Sequence, residues 1–542
     1  MAKALRLEWE DLQPGKLEAL LERIRPLIQP EDFGLLQRVI ATLQLLLDLI
    51  QKARFSMRRL RQMIFGPKTE KTRQVLAKAK DQAASQTGQS ASPGGSDAPK
   101  EKRKGHGRNG VEDYPGAERR FIPHATLQAG CPCPLCQLGR LYDLNKPAPF
   151  IRIVAQPIFP ATIYELMQLR CSRCLTVFTA QPPPEAGTSK YSETVPAMLA
   201  LLCYGSGMPL YRIENLQQGF GVPLPTATQW ELLRDAAQEI TPVLDCLIQM
   251  AAQAWLFFHD DTHMKVLSLL AQNPTQSADG PNAKERTGIF TTGILAQVGD
   301  HRIALFFTGH KHAGENLESV LEQRPEGLPI PIQMSDGLPA NRLKRAQTQQ
   351  ANCTAHSRRK FVQVVDAFPQ ECRFVLEKLK EVYQHDAQAK TLGLTPEERL
   401  HFHQTHSHQP MTELERWARE QLKQKKVEPN SDLGGAINYM LKRWEKLTLF
   451  LRIPGAPLDN TAAERILKRS ILHRKNSMFY RTERGAQVGD LYMTLIETCR
   501  FCSANPLEYL TALLQHARLV SQNPEQWLPW NFRAALATAD TS

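Results

Sequence analysis

A mixed α/β protein is predicted, built on a short sheet whose strands end on carboxylates and interrupted by a long helical insertion. Three observations carry this expectation. The run Trp255-Leu-Phe-Phe-His259 is apolar and aromatic and leads straight into Asp260 and Asp261, as a buried strand opening to solvent does. Two more β-like runs and a helix follow, then Pro331-Ile-Gln-Met-Ser335, which again ends on a carboxylate, Asp336. From about residue 362 to 457 the pattern turns helical with polar loops before Asp459-Asn-Thr-Ala-Ala-Glu464.

At 542 residues the chain has room for several domains. Its formal charge of +12 points to a polyanionic partner. There is no apolar run of membrane-spanning length and no signal-peptide pattern, so a cytoplasmic location without a membrane partner is expected. In that compartment the eleven cysteines stay reduced, and closely paired ones read as metal ligands.

In residues 1–72, Leu36, Leu43, Ile50, Met57 and Ile64 recur at heptad spacing, with Val39, Leu46, Ala53 and Leu60 between them. This is the a/d seam of a coiled coil and favours a homodimer or higher oligomer; a helix packed on its own domain is the alternative. Phe65-Gly66-Pro67 stops it. Residues 73–125 read as a flexible linker that ends in the basic tract Lys100–Arg108. In residues 126–182 two CxxC knuckles, Cys133/Cys136 and Cys171/Cys174, supply four thiolates for one structural Zn²⁺; Cys131 is a substitute ligand or a spectator. Residues 183–250 hold the helix Pro209–Phe220, the turn Gly221-Val-Pro-Leu224 and a second helix capped by Thr226, a helix-turn-helix-like order.

A first catalytic part is expected over 251–361. After the opening strand, Gly288–Ala296 and Arg302–Phe307 read as strands joined at Gly299-Asp300, Asn316–Glu322 as a helix and Pro331–Ser335 as a fourth strand. That order matches the start of a ribonuclease-H-like sheet. In such a sheet the first and fourth strands are neighbours, so Asp260 and Asp336 would share a metal; an ordinary turn is the competing reading of Asp336-Gly337. Arg358, Arg359 and Lys360 open a helix and are either solvated or hold phosphates. The insertion, 362–457, carries two capping boxes, Thr395/Glu398 and Thr412/Glu415, and a loop with His401, His403, His406 and His408. In the second catalytic part, 458–520, Glu464 is either the capping-box partner of Thr461 or a metal ligand in the first turn of a helix. Arg465, Lys468, Arg469, Arg474 and Lys475 form a basic surface suited to a nucleic-acid backbone. The next helix buries a stripe from Val488 to Cys499, and Glu497, off that stripe, is the reserve third carboxylate. Residues 521–542 read as a C-terminal tail.

The ordered set Phe65-Gly-Pro-Lys-Thr-Glu-Lys71, Gly105-His-Gly-Arg108, the paired knuckles, Met208-Pro-Leu-Tyr-Arg212, His259-Asp-Asp-Thr262, Ser335-Asp-Gly337, Ala355–Phe361, Asp459–Arg465 and His473-Arg-Lys-Asn476 resembles a DDE transposase of the insertion sequence 66 family over nearly the whole chain. The resemblance implies a ribonuclease-H-like domain split by a helical insertion between the second Asp and the Glu, with Asp260, Asp336 and Glu464 on the three catalytic positions. It departs from the family at Asp261, where a glutamate is usual, and after Gly337, where aromatics are usual. The implied chemistry is strand cleavage at element ends and strand transfer into target DNA. Two Mg²⁺ ions per site, with Mn²⁺ able to substitute, would bridge the attacking and leaving oxygens. The implied partners are the element's terminal repeats, target DNA and accessory proteins of the same element, in the bacterial cytoplasm at the nucleoid. The alternative is a catalytically inactive, transposase-derived DNA-binding protein.

Overall fold

The computed structural model of the chain describes residues 158–170, 177–270 and 288–539, with isolated positions before 158. The expected coiled-coil seam beyond Leu36 and the linker over 73–125 lie outside the described residues. So do all four expected zinc ligands, Cys133, Cys136, Cys171 and Cys174. Of that module Cys131 is described: it is a half-buried free thiol whose backbone N–H and carbonyl bond Gln128 and Leu141. The described residues fall into two compact units: Arg358–Gln384 with Pro410–Asn438, and the remainder within Ser90–Ser357, His385–Gln409 and Tyr439–Ser542.

The larger unit is organised on a five-stranded mixed sheet. Its strands are β1 (Leu256–His263), β2 (Phe290–Val298), β3 (His301–Gly309), β4 (Ile332–Ser335) and β5 (Gln349–Asn352), in the spatial order β3-β2-β1-β4-β5. The first three form an antiparallel meander, and the turn at Gly299-Asp300 closes β2 onto β3 with Gly299 at φ 53°, where a residue without Cβ is least strained. β4 joins β1 in parallel and β5 joins β4 in parallel. The arrangement is a mixed α/β domain consistent with a ribonuclease-H-like core.

Helices α1 (Thr194–Ala200), α2 (Leu210–Gly219) and α3 (Thr226–Ala251) precede the sheet. Of the expected helix-turn-helix, the order α2, turn, α3 is present, and α3 is a core helix as well. α3 runs for 26 residues and buries Leu233, Ala236, Ala237, Ile240, Val243 and Leu247. These residues join one apolar core with the sheet and the C-terminal helices, so the boundary drawn at residue 250 is not a break in packing. Thr226 does not cap α3: Pro225 stands at the cap and the Thr226 hydroxyl bonds the Glu214 carboxylate. The 521–542 tail also belongs to the core, because Trp527 and Phe532 are buried in it.

Helix α4 (Ala313–Leu321) lies between β3 and β4. After β5 come α5 (Thr354–Val364), α6 (Pro369–Thr391), α7 (Pro396–His406), α8 (His408–Lys423), α9 (Asp432–Leu441) and α10 (Trp444–Leu447). The Thr395/Glu398 capping box forms at the start of α7. Thr412 and Glu415 instead lie inside α8, so no box forms there. His401, His403 and His406 are on α7 and not in a loop; His403 is buried with Nδ1 against the Ser407 hydroxyl at 2.9 Å. In the smaller unit Phe374 and Trp417 pack with ring centroids 5.3 Å apart, and Lys378 pairs with Glu413 at 2.5 Å.

The part expected to be the second catalytic segment opens with α11 (Thr461–Ser477) and continues with α12 (Glu483–Phe501). The outer edge of β3 would leave a row of unpaired N–H groups, a costly feature in a buried sheet. α12 covers it. Asp490, Thr494 and Thr498, one helical turn apart, accept from the N–H groups of Thr308, Phe306 and Ala304 at 2.6, 3.1 and 3.2 Å. This is why α12 is buried on nearly every side from Val488 to Cys499, where one apolar stripe was expected. Glu497 is buried as well and is ion-paired to Arg469 at 2.8 Å and to Arg500.

Candidate active site

Sheet register explains how two distant aspartates meet. β1 and β4 pair in parallel from Leu256↔Ile332 to Phe258↔Met334. Beyond that point the ladder opens, and the same register carried two residues further sets Asp260 opposite Asp336. On its other side Asp260 pairs with Gly293 and Asp261 with Thr292. Partners across an antiparallel pair share a face, and successive residues alternate faces.

That alternation separates the two adjacent aspartates. Gly293 faces α11, since a Cβ there would stand 3.0 Å from Leu467 and 3.3 Å from Ile466. Asp260 therefore points to the face that carries Glu464. Thr292 faces α4, where its hydroxyl accepts from Asn316 Nδ2 at 2.8 Å. Asp261 points the same way: its Oδ2 lies 2.9 Å from His312 Nδ1 and accepts from the Ala313 N–H at the start of α4. It holds a helix in place, on the opposite face from Glu464.

Asp336 is buried, and its Oδ1 accepts from the Leu338 N–H at 2.9 Å and Asn341 Nδ2 at 2.7 Å. Asn341 O in turn accepts from Gln333 Nε2 at 2.7 Å, and the same amide meets His259 Nε2 at 2.8 Å. The backbone oxygen of Asp336 receives the Tyr439 hydroxyl at 3.1 Å. The third element is fixed by Asn460, which is fully buried. Its Nδ2 donates to His259 O at 2.9 Å and its N–H to Cys353 Sγ at 3.2 Å, tying the start of α11 to the residue before Asp260. The expected Thr461/Glu464 capping box is absent: Asn460 occupies the cap position without a side-chain bond, and the Thr461 N–H goes to Asp459 Oδ1 at 3.0 Å. The Glu464 carboxylate is thus not engaged by the helix end, and lies 3.9 Å from His356 Nε2.

Burial first, then the Asp336 carboxylate, with smaller contributions from Asp261 and Glu464, raises the Asp260 carboxyl to about 7 against one lowering contact, the Asp261 N–H. Among the described residues no three His, Cys, Asp or Glu side chains stand close enough to hold a metal ion as they are. Cys133, Cys136, Cys171 and Cys174 are not among those residues, so the expected zinc site is separate from that observation. The donors are nonetheless of the oxygen type a hard divalent cation takes, and the repulsion that Asp336 and Glu464 exert on Asp260 is one a cation would relieve.

The basic residues divide. Arg465, Lys468 and Lys475 are exposed on one face of α11. Arg469 is turned inward to Glu497 and the Gly205 carbonyl, and Arg474 bonds Thr262 Oγ1 at 3.0 Å and the His263 carbonyl. Both clamp α11 in place, and Glu497, neutralised by two arginines, is not a third carboxylate of the site. Arg358, Arg359 and Lys360 lie on α5, the first two half-buried and Lys360 exposed. Sequence reading missed Gln333, Asn341 and Asn460; an amide two residues before a strand end, or just before a helix, has no composition signal that separates it from a loop residue.

A family model described as Transposase IS66 family matches residues 188–488, more than half of the chain. Among curated proteins of Sinorhizobium fredii (strain NBRC 101917 / NGR234), the chain is 26% identical to "Uncharacterized protein y4jD" over 60% of its own length and 63% of the relative's. It is 25% identical to "Uncharacterized protein y4qI" over 63% of each chain, and 32% identical to "Uncharacterized protein y4hP" over 34% of this chain and 36% of that one. The chain therefore spans under two thirds of the length of these relatives. No solved structure matches it.

Proposed function

Since this chain belongs to the Transposase IS66 family, we propose that it cleaves DNA at the ends of a mobile element and joins the freed 3′ end to target DNA, with Asp260, Asp336 and Glu464 as the metal-holding carboxylates. The observation that supports this best is the parallel pairing of β1 with β4, which ends two residues before Asp260 and Asp336, together with the Asn460 bond that ties the start of the Glu464 helix to His259. These carboxylates would hold Mg²⁺ or Mn²⁺, which would supply charge neutralisation at a phosphoryl transition state and activation of an oxygen nucleophile. Asp260 would hold the cation in its ionised form, which burial first and then the proximity of Asp336 oppose in the free protein. Asn341 and the Leu338 N–H orient Asp336, leaving its second oxygen for the site. The exposed Arg465, Lys468 and Lys475 receive the DNA backbone, as do Arg358, Arg359 and Lys360 from their own helix.

On this reading the N-terminal seam pairs protomers, Cys133, Cys136, Cys171 and Cys174 hold Zn²⁺ in a module that reads element ends, and accessory proteins of the element assist. The test is a Mg²⁺-dependent cleavage assay on duplexes carrying the element's ends. Wild type cuts, and Asp336→Asn loses at least about 10³-fold in rate, the several kcal/mol of a lost metal ligand. Cleavage that survives Asp336→Asn refutes the triad. DNA binding by wild type without cleavage identifies a DNA-binding protein of transposase descent.

A further inference from the structure

Beside Asp336 lies a cleft that the carboxylate chemistry does not use. Arg342, Lys442, Arg443 and Lys446 converge on it, with Gln350 and Asn352 on its floor, and none of its lining residues is acidic. Arg342 and Lys442 are exposed, and Arg443 and Lys446 half-buried. Arg443 stacks over the Tyr439 ring at 3.9 Å and donates to the Gly337 and Tyr439 carbonyls at 3.4 and 3.3 Å, while its buried Nε has no hydrogen-bond partner. Lys446 donates to Gln350 Oε1. Like charges gathered without a counter-charge are costly unless an anion completes them. In keeping with this, burial first, then Arg342 and Arg443, lowers the Lys446 ammonium from its ordinary range.

The cleft is tied to the aspartate. Asn341, on its wall, carries the hydrogen bond to Asp336, and Gly337 directly follows Asp336. Gly337 sits at φ 81°, and a Cβ there would stand 3.0 Å from Arg443 Nε and 3.2 Å from Asn352. Glycine thus keeps the wall open next to the carboxylate. Residues 333–352, ahead of the helical insertion, and residues 442–446, within it, meet here.

We propose that this cleft binds a backbone phosphate of the DNA strand adjacent to the one being cut, holding the strand in register with Asp336. The proposal rests on the transposase reading of the same site. Four cations fit a single phosphodiester as a clamp, and the planar Arg443 and Arg342 forks match its two free oxygens.

The test uses the full-length protein and a 30-base-pair duplex, with affinity measured across a salt series. The Arg342→Gln/Lys442→Gln variant changes two exposed side chains and is checked for an unchanged melting temperature; Lys442→Gln alone serves if the pair misfolds. Loss of the one clamped phosphate lowers the slope of log affinity against log salt by about 0.9, and Lys442→Gln alone lowers it by less. Affinity at 0.1 M salt drops about tenfold or more. A methylphosphonate walked along the end duplex weakens wild type at one phosphate near the cut and leaves the double variant unaffected there. If the double variant keeps the wild-type slope and the same methylphosphonate sensitivity while Asp336→Asn still abolishes cleavage, the clamp is overturned and the transposase reading stands. If inorganic phosphate alone binds wild type and not the variant with the DNA slope unchanged, the cleft takes a free anion and the proposal also fails. Absence of salt-dependent DNA binding by wild type sinks both readings.

Discussion

Asn460 shows how much of the site depends on groups that do no chemistry. Its side-chain amide satisfies the buried His259 carbonyl while its backbone opens the helix bearing Glu464. Asn460→Ala leaves that carbonyl unpaired and costs about 1–3 kcal/mol of stability, read as a shift of the urea midpoint. It also weakens Mn²⁺ binding, whereas loss of stability with unchanged Mn²⁺ affinity would make Asn460 merely structural. The proposed aspartates Asp260 and Asp336 were legible in the sequence because strand-end carboxylates leave a pattern: an apolar run broken by Asp. Glu464 was legible only with an ambiguity, since a first-turn glutamate serves a cap equally well, and the structure shows that the Thr461/Glu464 capping box does not form. Arg469 and Arg474 read as surface cations, and their inward turn was hidden because their partners, Glu497 and the His263 carbonyl, lie far along the chain or in the main chain.

Between elements, two contacts set the position of the helix that carries Glu464 and of the sheet edge. Gly293 lets α11 approach β2 closely, so Gly293→Ala pushes against Leu467 and Ile466. Overpacking of this kind costs about 1–3 kcal/mol and shifts Glu464 relative to Asp260; cleavage should fall more steeply than the melting temperature does. On the far edge, Asp490 caps β3 from within the core, and burial raises its carboxyl from 3.8 to about 7 despite the Thr308 hydrogen bonds. Between those pH values the folded chain binds a proton that the unfolded chain has released. The contribution of Asp490 to stability is therefore fully present below about pH 4 and declines as pH rises to 7. Asp490→Asn, which keeps an acceptor for the Thr308 N–H, should flatten this part of the stability–pH curve; an unchanged curve would show that another group titrates. The polar ladder of Asp490, Thr494 and Thr498 was unreadable beforehand, because a helix that seals a strand edge has to be buried on its polar side too.

Over the whole molecule, the strand order and the helical stretch before Asp459 were legible, since period-two and helical patterns survive in single segments. Domain limits were not. A helix with one apolar face, such as α3, looks the same whether that face packs within a separate module or against the sheet, and only the shared core from Phe159 to Ala535 shows which. Truncation after residue 520 removes Trp527 and Phe532 from that core and should cost several kcal/mol, seen as aggregation or a large drop in melting temperature; a soluble, active truncation would return 521–542 to the status of a tail. The expected zinc module is tested by metal analysis, in which one Zn²⁺ per chain is lost when any of Cys133, Cys136, Cys171 or Cys174 is changed to Ser; a metal content unmoved by all four changes would remove the module. The central claim, that three carboxylates from three separated segments serve one cation site, is tested most directly by Mn²⁺ binding followed by electron paramagnetic resonance. Wild type should bind at pH 8 and progressively less below about pH 7, and Asp260→Asn, Asp336→Asn and Glu464→Gln should each weaken binding at least tenfold. Wild-type affinity in any one of the three would contradict the account.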